Sequence, residues 1–236
     1  MSDTWQWELT GTINTSYSAS VYDIDLFDAS ASTIAELQKA GRKVICYFSA
    51  GSSENWRPDF SALQAADMGN LLDGWEGERW LDTRSASVRA LMRQRLDMAS
   101  SKGCDGVEPD NVDGYNNSSG FALSATSQLD FNRFLASQAH ARGLLIALKN
   151  DVGQLTELAG DFDFAVNEQC HQYDECGGYA VFVSAGKPVF NAEYAAIYRS
   201  AGSARDALCA DAKKLGLRTL VLSVKLDDSY RYSCDQ

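Results

Sequence analysis

The chain has 236 residues, of which 45% are hydrophobic and only three are proline, and this composition predicts one globular domain over residues 1–236. The formal net charge is −11 and the sequence pI is about 4.6. Because phosphate groups are bound by clustered Lys and Arg, this charge argues against nucleic acid and anionic membranes as partners. It favours a cationic or neutral ligand, and we expect the protein to be a monomer.

The first four residues, from Met1 to Thr4, contain neither a basic region nor an apolar run, so they are not a signal peptide. No apolar stretch approaches the roughly 20 residues that a membrane span requires. Six cysteines, an even number, favour an oxidising compartment. We therefore expect a secreted protein whose leader is absent from this chain.

The cysteines divide into two preferred pairs and one open pair. Cys46 and Cys104 either form a disulfide or are buried thiols. Zinc is not expected, because the chain has no Cys-x-x-Cys pair and only two histidines. We expect neither a metal nor a cofactor. The preferred disulfides, one around a Gly-rich loop and one near the C-terminus, are Cys170–Cys176 and Cys209–Cys234.

Short apolar runs alternate with helical patterns along the chain. Residues 5–9 come first, and we expect them to form an extra strand or a cap over one end of the fold. Helices, each stopped by a glycine, are predicted at residues 32–40, 87–102, 127–142 and 204–215. Strands are predicted at residues 21–27, 44–48, 79–82, 106–110, 144–149, 164–168, 188–193 and 219–224.

Eight strands that alternate with helices predict an α/β fold, a single-domain (β/α)8 barrel of the TIM type. A doubly wound open sheet would also alternate, but the sequence lacks the Gly-rich phosphate-binding turn of that fold. In a barrel the active site lies where the strands end. The polar and aromatic residues near these ends are Asp23, Asp25, Tyr47, Asp110, Asn111, Asp113, Tyr115, Lys149, Asn167, Glu168, Glu193 and Tyr194.

Two of these strand-end acids can form a catalytic pair. Asp110 ends the fourth predicted strand and Glu168 ends the sixth, so both reach the same cavity. Glycoside hydrolysis requires two such carboxyl groups, one protonated and one ionised. Glu108 is the rival within the motif because it shares a face with Asp110, but it lies two residues deeper, and we interpret it as a buried partner of Lys149.

The order of motifs along the chain resembles glycoside hydrolase family 114. This resemblance implies a (β/α)8 barrel that acts as an endo-α-1,4-polygalactosaminidase on a galactosamine-containing exopolysaccharide. It also implies that Asp110 and Glu168 are the catalytic pair. The motifs that carry it are VYDIDLFD (21–28), VICYFSAG (44–51), DGVEPDNVD (105–113), ALKN (147–150), FAVNE (164–168) and NAEY (191–194).

A deacetylated galactosamine polymer is cationic, which agrees with the acidic charge of the chain. On this hypothesis Asp110 is the nucleophile, Glu168 is the acid/base, and the anomeric configuration is retained. Lys149 holds one carboxylate ionised through a close pair. Candidate substrate contacts are the acids Asp23, Asp25, Asp113 and Glu193, the amides Asn111 and Asn167, and the aromatic residues Tyr47, Tyr115 and Tyr194.

Other functions are compatible with a barrel. The chain could be a carbohydrate-binding barrel without turnover, although the presence of both candidate catalytic acids argues against this. A metal-dependent polysaccharide deacetylase would require histidine ligands that the sequence does not supply. A calcium site at Asp23, Asp25 and Asp28 lacks the Gly and the distal Glu of an EF-hand loop.

Overall fold

The computed structural model describes residues 3–235. Six α-helices lie within this range: α1 (Ala31–Lys39), α2 (Ala86–Lys102), α3 (Ala125–His140), α4 (Leu155–Leu158), α5 (Ala180–Ser184) and α6 (Ser203–Leu215). Twelve strands lie there too: β1 (Trp5–Glu8), β2 (Val21–Asp25), β3 (Lys43–Ser49), β4 (Ser52–Glu54), β5 (Met68–Leu71), β6 (Glu78–Leu81), β7 (Gly106–Asp110), β8 (Leu145–Lys149), β9 (Phe164–Glu168), β10 (Val189–Glu193), β11 (Arg218–Leu222) and β12 (Arg231–Ser233).

Nine strands form one curled sheet in the order β1-β2-β3-β7-β8-β9-β10-β11-β12. The first eight are parallel to their neighbours, and β12 pairs antiparallel with β11. Side chains alternate between the two faces of each strand. Outward-facing residues such as Ile24 and Phe48 pack in the main core, whereas inward-facing residues such as Ile45 and Val166 fill the interior. This architecture confirms the predicted TIM-type barrel.

The assignment of individual strands differs from the prediction in two places. A strand near the N-terminus exists, but Trp5–Glu8 pairs in parallel with β2 and is the first strand of the barrel. Residues 79–82, predicted as a barrel strand, lie mostly in β6, the middle strand of a separate three-stranded antiparallel sheet. The alternation with helices is also incomplete, because no α-helix lies between β1 and β2 or between β11 and β12.

Side chains bridge the seam between the first and last strands of the sheet. The guanidinium of Arg231 on β12 donates to the Trp5 carbonyl at 3.0 Å and to Gln6 Oε1 at 2.6 Å. The Trp5 indole in turn donates to the carbonyl of Arg218 on β11 at 2.9 Å. These bonds hold β1 beside the C-terminal strands, and so they complete the wall around the strand ends.

Three disulfides stabilise this frame. The two preferred pairs, Cys170–Cys176 and Cys209–Cys234, are confirmed. The open pair also forms a disulfide, which joins Cys46 on β3 to Cys104 before β7. Among residues 3–235 no helix is both long and apolar enough to cross a membrane.

Candidate active site

Three charged residues end three neighbouring barrel strands. Asp110 ends β7, Lys149 ends β8 and Glu168 ends β9, and all three face inward at the same rim. Lys149 Nζ lies 3.2 Å from Asp110 Oδ1 and 3.2 Å from Glu168 Oε2. Sequence reasoning predicted that the two acids share a cavity, and the structure places one lysine between them.

The chain turns sharply directly after each of these residues. Asn111, Asn150 and Gln169 all have positive φ, at 58°, 49° and 63°. Left-handed conformations are uncommon outside glycine and concentrate at functional sites. The turns also supply bonds: the Asn111 N–H donates to Asp110 Oδ1 at 2.7 Å, and the Glu168 N–H donates to Asn150 Oδ1 at 2.9 Å. The strained turns therefore fix the positions of the two carboxyl groups.

A glycine makes room for the first of these turns. A Cβ built at Gly51 would overlap the backbone carbonyl of Asn111. We predict that Gly51→Ala displaces the residue next to Asp110, lowers stability by about 1–3 kcal/mol and lowers kcat/KM at least about tenfold. Thermal denaturation and initial rates check this. Gly160→Ala, where a Cβ meets no atom within 4 Å, is the matched control. Equal rates in both variants would contradict the prediction.

A tyrosine hydroxyl donates to each of the two carboxylates. Tyr47 Oη lies 2.9 Å from Asp110 Oδ2, and Tyr194 Oη lies 2.5 Å from Glu168 Oε1. Burial, followed by the charge of the neighbouring carboxylate, raises the pKa of both phenols well above its usual value. Both hydroxyls therefore keep their protons and act as fixed donors. The sequence had suggested these tyrosines as substrate contacts, and their hydroxyl groups have the additional role of donating to the two carboxyl groups.

Lys149 is buried at 1% exposure and contacts a third carboxylate, Glu108 Oε1, at 3.2 Å. This contact agrees with the interpretation of Glu108 as a partner below Asp110. Burial would lower the pKa of Lys149, but Asp110, Glu168 and Glu108 outweigh it and raise the pKa well above the ordinary value. Lys149 also lies 4.8 Å from the centroid of the Trp7 ring. The lysine is therefore a permanent cation at the floor of the site.

Glu108 and Asp23 form a buried acid pair beneath this lysine. Burial raises the pKa of Glu108 to about 7 and that of Asp23 well above its usual range, and each responds to the other's charge or hydrogen bond. The Trp7 indole donates to Glu108 Oε2 at 3.0 Å. Asp23 is 1% exposed, and the charge of Lys149 acts on its carboxyl group. Asp23 does not line the cleft over Asp110 and Glu168.

A cleft passes over the partly buried carboxyl groups of Asp110 and Glu168. One part encloses about 880 Å³ of open space above Asp110 and Lys149, and an adjoining part encloses about 1490 Å³ beside Glu168. Asn111 lines the first part, and its amide donates to Ser49 Oγ at 2.9 Å. The residues shared by the walls of both parts are Trp75, Asp113, Asn150, Glu168 and Val224.

Trp75 was not anticipated from the sequence. It lies in the turn between β5 and β6, is 53% exposed, and lines both parts of the cleft opposite the strand ends. Tyr173, in the loop after β9, is another exposed aromatic residue at the rim. The signal in the sequence was a tryptophan between two glycines, Gly74 and Gly77, which indicate a turn, and both glycines have positive φ in the structure. This signal identifies a cleft residue only once the turn between β5 and β6 is known to border the cleft.

Several predicted substrate contacts lie away from the cleft. Asp25 is held by the Arg57 guanidinium, with Nη1 and Nη2 donating at 3.0 and 2.5 Å, and lies outside the cleft lining. Glu193 is fully buried and accepts from the His171 N–H at 2.9 Å. Both carboxylates therefore have structural partners, and we do not assign substrate contacts to them.

Asn167 and Tyr115 differ in how they contribute to the cleft. Asn167 lines the part beside Glu168, but it is only 1% exposed, donates to Tyr179 Oη at 2.6 Å and accepts from the Asn191 amide at 3.0 Å. The Tyr115 hydroxyl interacts with the carboxyl group of Asp151, and burial raises the pKa of Tyr115. Tyr115 therefore supports the wall from behind, whereas Asn167 and Asp113 belong to its lining.

Four carboxyl groups in or below the cleft have pKa values raised to between about 6 and 8. Burial is the main cause for Glu78 and Glu108 at about 7, Asp113 at about 6 and Asp151 at about 8. Between pH 4 and 8 the native state therefore binds more protons than the unfolded chain, and the free energy of unfolding falls as pH rises. Burial lowers the pKa of His171, and this group therefore makes a contribution of opposite sign to the pH dependence of the free energy of unfolding.

We predict from these values that the melting temperature decreases from pH 5 to pH 8, with a loss of at least about 2 kcal/mol in the free energy of unfolding. Thermal denaturation in buffers of constant ionic strength measures it. Asp151→Asn removes the carboxyl group whose pKa is raised to about 8, the highest of the four, and should make the dependence of melting temperature on pH shallower. A melting temperature that rises toward pH 8 would contradict the sign.

Among residues 3–235 one group of potential metal ligands is clustered: the ligand atoms of Cys170, His171 and Cys176 lie within 4.8 Å of one another. Both sulfur atoms belong to the disulfide, so they are not available as thiolates. His171 remains as a donor, and Nδ1 of its ring lies 3.3 Å from Asp211. We assign no metal to this cluster.

A barrel with two carboxyl groups facing one cleft at its strand ends defines the class of glycoside hydrolases. The model of glycoside-hydrolase family GH114 matches residues 1–236, and the chain belongs to this family. The resemblance noted in the sequence is thereby confirmed, and the protein is a glycoside hydrolase. No curated protein sequence matches this chain significantly.

Solved structures agree with this assignment. Aspergillus fumigatus Ega3, in a complex with galactosamine, is 47% identical with a TM-score of 0.93, over 99% of this chain and 95% of that chain. The glycoside hydrolase domain of PelA from Pseudomonas aeruginosa is 16% identical with a TM-score of 0.72, over 95% and 96% of the two chains. Trehalulose synthase MutB is 12% identical with a TM-score of 0.54, over 81% and 56%. The last two likenesses concern the fold alone.

Proposed function

We propose that this hydrolase cleaves α-1,4 linkages within chains of a galactosamine-containing exopolysaccharide. The observation that carries the proposal is the charge of the cleft around the two facing carboxyl groups. Lys149 is the one Lys or Arg among the lining residues that the structure describes, and three acids at the floor of the cleft lie within 3.2 Å of its ammonium group. Such a cleft attracts the protonated amines of a deacetylated polymer. The acids that line it are Asp73, Glu78, Asp110, Asp113, Asp151, Glu168 and Glu175.

The similarity to Ega3 supports the sugar in this proposal. That protein was crystallised with galactosamine, and its likeness to the present chain extends over 99% of the residues. The acidic cleft gives an independent reason for an amino sugar, because a protonated amine forms an ion pair with an ionised carboxylate that a neutral hydroxyl cannot form. Partly deacetylated polymer is therefore the expected substrate.

In the proposed mechanism Asp110 attacks the anomeric carbon while the bond to the departing sugar oxygen breaks. Glu168 gives its proton to that oxygen. A water molecule then attacks the same carbon, Glu168 takes up its proton, and the bond to Asp110 breaks. Donors from Tyr47, Lys149 and the Asn111 backbone converge on Asp110 and hold it for attack. Glu168 has the more exposed side chain, 28% against 18%, as suits a group that meets water.

The shared lysine limits the separation of the two carboxyl groups. Since Nζ lies 3.2 Å from one oxygen of each, those two oxygens are no farther apart than twice that distance. Retaining glycosidases have separations of about 5–5.5 Å, and inverting enzymes need about 6.5–9.5 Å for an intervening water. This upper limit is compatible with the shorter separation of a retaining enzyme, and it supports the proposed nucleophile role of Asp110.

We predict that the first-formed product has the α configuration. Proton NMR recorded during the first turnovers shows the configuration of the new reducing end before mutarotation. A β-configured initial signal would demonstrate inversion and would remove the nucleophile role from Asp110.

The function itself is tested by incubating the enzyme with partly deacetylated galactosamine polymer, with and without EDTA. We expect new reducing ends and short oligomers at equal rates in both. Acetate release without new reducing ends would indicate a deacetylase. Tight binding without either product would indicate a carbohydrate-binding barrel.

We also propose that the enzyme works outside the cell as a monomer, and the three disulfides support an oxidising environment. Alkylation of the native secreted protein without reductant should leave all six cysteines unmodified in the mass spectrum. Sedimentation of the same sample should give a mass near 25.8 kDa. Modified cysteines would contradict the three disulfides and the oxidising environment. A doubled mass would contradict the monomer.

A further inference from the structure

Glu78, on β6 of the three-stranded sheet, is a buried acid that the proposed mechanism does not use. It is 7% exposed and lines the part of the cleft above Asp110. The hydroxyl of Ser52, the first residue of β4, donates to Glu78 Oε2 at 2.6 Å. This bond is the first of a series that runs from the three-stranded sheet to the strand ends of the barrel.

The series continues through Ser49, the last residue of β3, to the side chain of Asn111. Ser49 Oγ lies 2.6 Å from Ser52 Oγ, and both serines are fully buried. Asn111 Nδ2 donates to Ser49 Oγ at 2.9 Å and to Ser52 Oγ at 3.3 Å. The backbone N–H of Asn111 in turn donates to Asp110 Oδ1 at 2.7 Å. We call the four side chains of this series the serine bridge: Glu78, Ser52, Ser49 and Asn111.

The carboxyl group of Glu78 determines the direction of the hydrogen bonds along the serine bridge. Ser52 has one hydroxyl proton, which is used in the bond to Glu78. Ser49 must therefore donate its own proton to Ser52, and Asn111 must turn its NH2 group, not its oxygen, toward Ser49. Without an acceptor at position 78 both hydroxyls are free to reverse, and the orientation of the amide is no longer specified.

The backbone around Asn111 makes the catalytic turn sensitive to this orientation. Asn111 has a φ of 58°, a left-handed conformation that persists only when surrounding contacts hold it. The bonds of its side-chain amide to the two serines supply such contacts. The loop after β3 supplies others, because the N–H groups of Ala50 and Gly51 donate to the Asp110 carbonyl at 2.8 and 3.0 Å. Displacement of the amide would therefore move the N–H group that binds Asp110.

We propose that Glu78 is a positioning residue for the hydrolysis, which acts through the serine bridge to orient Asn111 and so to hold the N–H group that binds Asp110. This inference rests on the proposed function, since it takes Asp110 as the nucleophile. Glu78 acts as a hydrogen-bond acceptor, so its charge is not required. An acceptor of the same shape should replace it, and an apolar side chain should not.

The test uses Glu78→Leu, which removes the acceptor, and Ser52→Ala, which removes the middle of the bridge. Each should lower kcat and kcat/KM equally, by about tenfold or more on partly deacetylated galactosamine polymer, because small displacements of a reacting group are costly. The double variant should be no slower than the slower single variant, because both changes break the same bridge. Glu78→Gln keeps an acceptor oxygen and should retain most of the activity.

Two matched controls lie next to the substituted positions. Glu76→Leu changes an exposed acid in the turn before β6 that does not line the cleft. Ser53→Ala removes the neighbouring hydroxyl, which donates to the Arg79 carbonyl at 3.3 Å. Both should leave kcat unchanged. Thermal denaturation identifies any variant that has lost its fold, and Ser52→Ala, the smaller change, tests the bridge if Glu78→Leu unfolds.

The outcomes distinguish positioning from other roles of Glu78. A raised KM in Glu78→Leu with normal kinetics in Ser52→Ala would show that Glu78 binds the substrate directly. Normal kinetics in both would show that the bridge only supports the fold. Equal losses in Glu78→Gln and Glu78→Leu would show that the charge is required. Each of these results refutes the positioning role.

The same experiment separates this role from the proposed function. If the parent does not cleave the polymer, or if Asp110→Asn still does, the proposed function is wrong and the role of Glu78 falls with it. If the parent is active, Asp110→Asn is inactive and Ser52→Ala has normal kinetics, the proposed nucleophile stands and the serine bridge is refuted.

Discussion

Replacement of Asp110 by Asn or of Glu168 by Gln is expected to lower kcat on the polymer by about 10³-fold or more. Asn cannot form the glycosyl ester, and Gln can neither give nor take the proton. Both substitutions keep the size of the side chain, and Lys149 retains two carboxylate neighbours in each variant. We therefore expect folded proteins with melting temperatures close to that of the parent. Release of reducing ends and thermal denaturation measure the two effects.

Asp130→Asn serves as the control for these variants, since it removes the same charge from an exposed position that is paired with Arg89. It should retain full activity. Near-normal turnover by Asp110→Asn or by Glu168→Gln would remove that residue from the catalytic pair. Loss of activity accompanied by unfolding would contradict the expectation that these residues act in the chemistry alone.

Replacement of Lys149 by Met is expected to affect both stability and activity. The variant leaves Glu108, which is fully buried, without its cation, and removal of one partner of a buried pair costs about 3–5 kcal/mol. It also removes the positive charge that lies between Asp110 and Glu168, so that the two carboxylates repel each other. Denaturant titration at pH 8 and rate measurements should show a large loss of stability and no detectable cleavage.

A double variant separates these two roles of Lys149. Adding Glu108→Gln removes the uncompensated charge, so it should restore much of the stability but none of the activity. The loss in the single variant should also be smaller at pH 5 than at pH 8, because burial raises the pKa of Glu108 to about 7 and the acid then carries its proton. Equal stability of the parent and Lys149→Met at pH 8 would show that the lysine does not support Glu108.

Particular elements show why the strand assignment was only partly correct. The strands that carry the acids, at residues 106–110 and 164–168, coincide with β7 and β9. Residues 164–166 are a short apolar run, whereas 106–110 has few apolar residues and follows a helical pattern that ends at Gly103. Trp5–Glu8 alternates apolar and polar residues, which predicts a strand, but only its parallel pairing with β2 shows that it is the first barrel strand and not a cap. Glu78–Leu81 has the local pattern of a strand, and only its partners β4 and β5 place it outside the barrel.

The candidate site also contains residues that local sequence patterns indicate and residues whose role depends on tertiary contacts. Asp110 and Glu168 were predicted because both end parallel strands of one barrel, whose carboxyl ends meet at one edge. Asn167 and Glu193 were also strand-end residues, but their side chains are buried and bond to Tyr179 and to the His171 backbone. Asp25 could not be excluded from the sequence, because its guanidinium partner is 32 positions away.

The amino-acid sequence by itself determined the class of fold, the two catalytic candidates, the acidic character of the ligand site and two of the three disulfides. These follow from periodicity, composition and residue spacing, which are local properties of the chain. Tertiary structure decided which strands close the barrel, which acids already have cationic partners, and where Trp75 and Asp151 border the cleft. The reason is physical: partners and burial depend on contacts between residues far apart in the chain, and no local pattern specifies them.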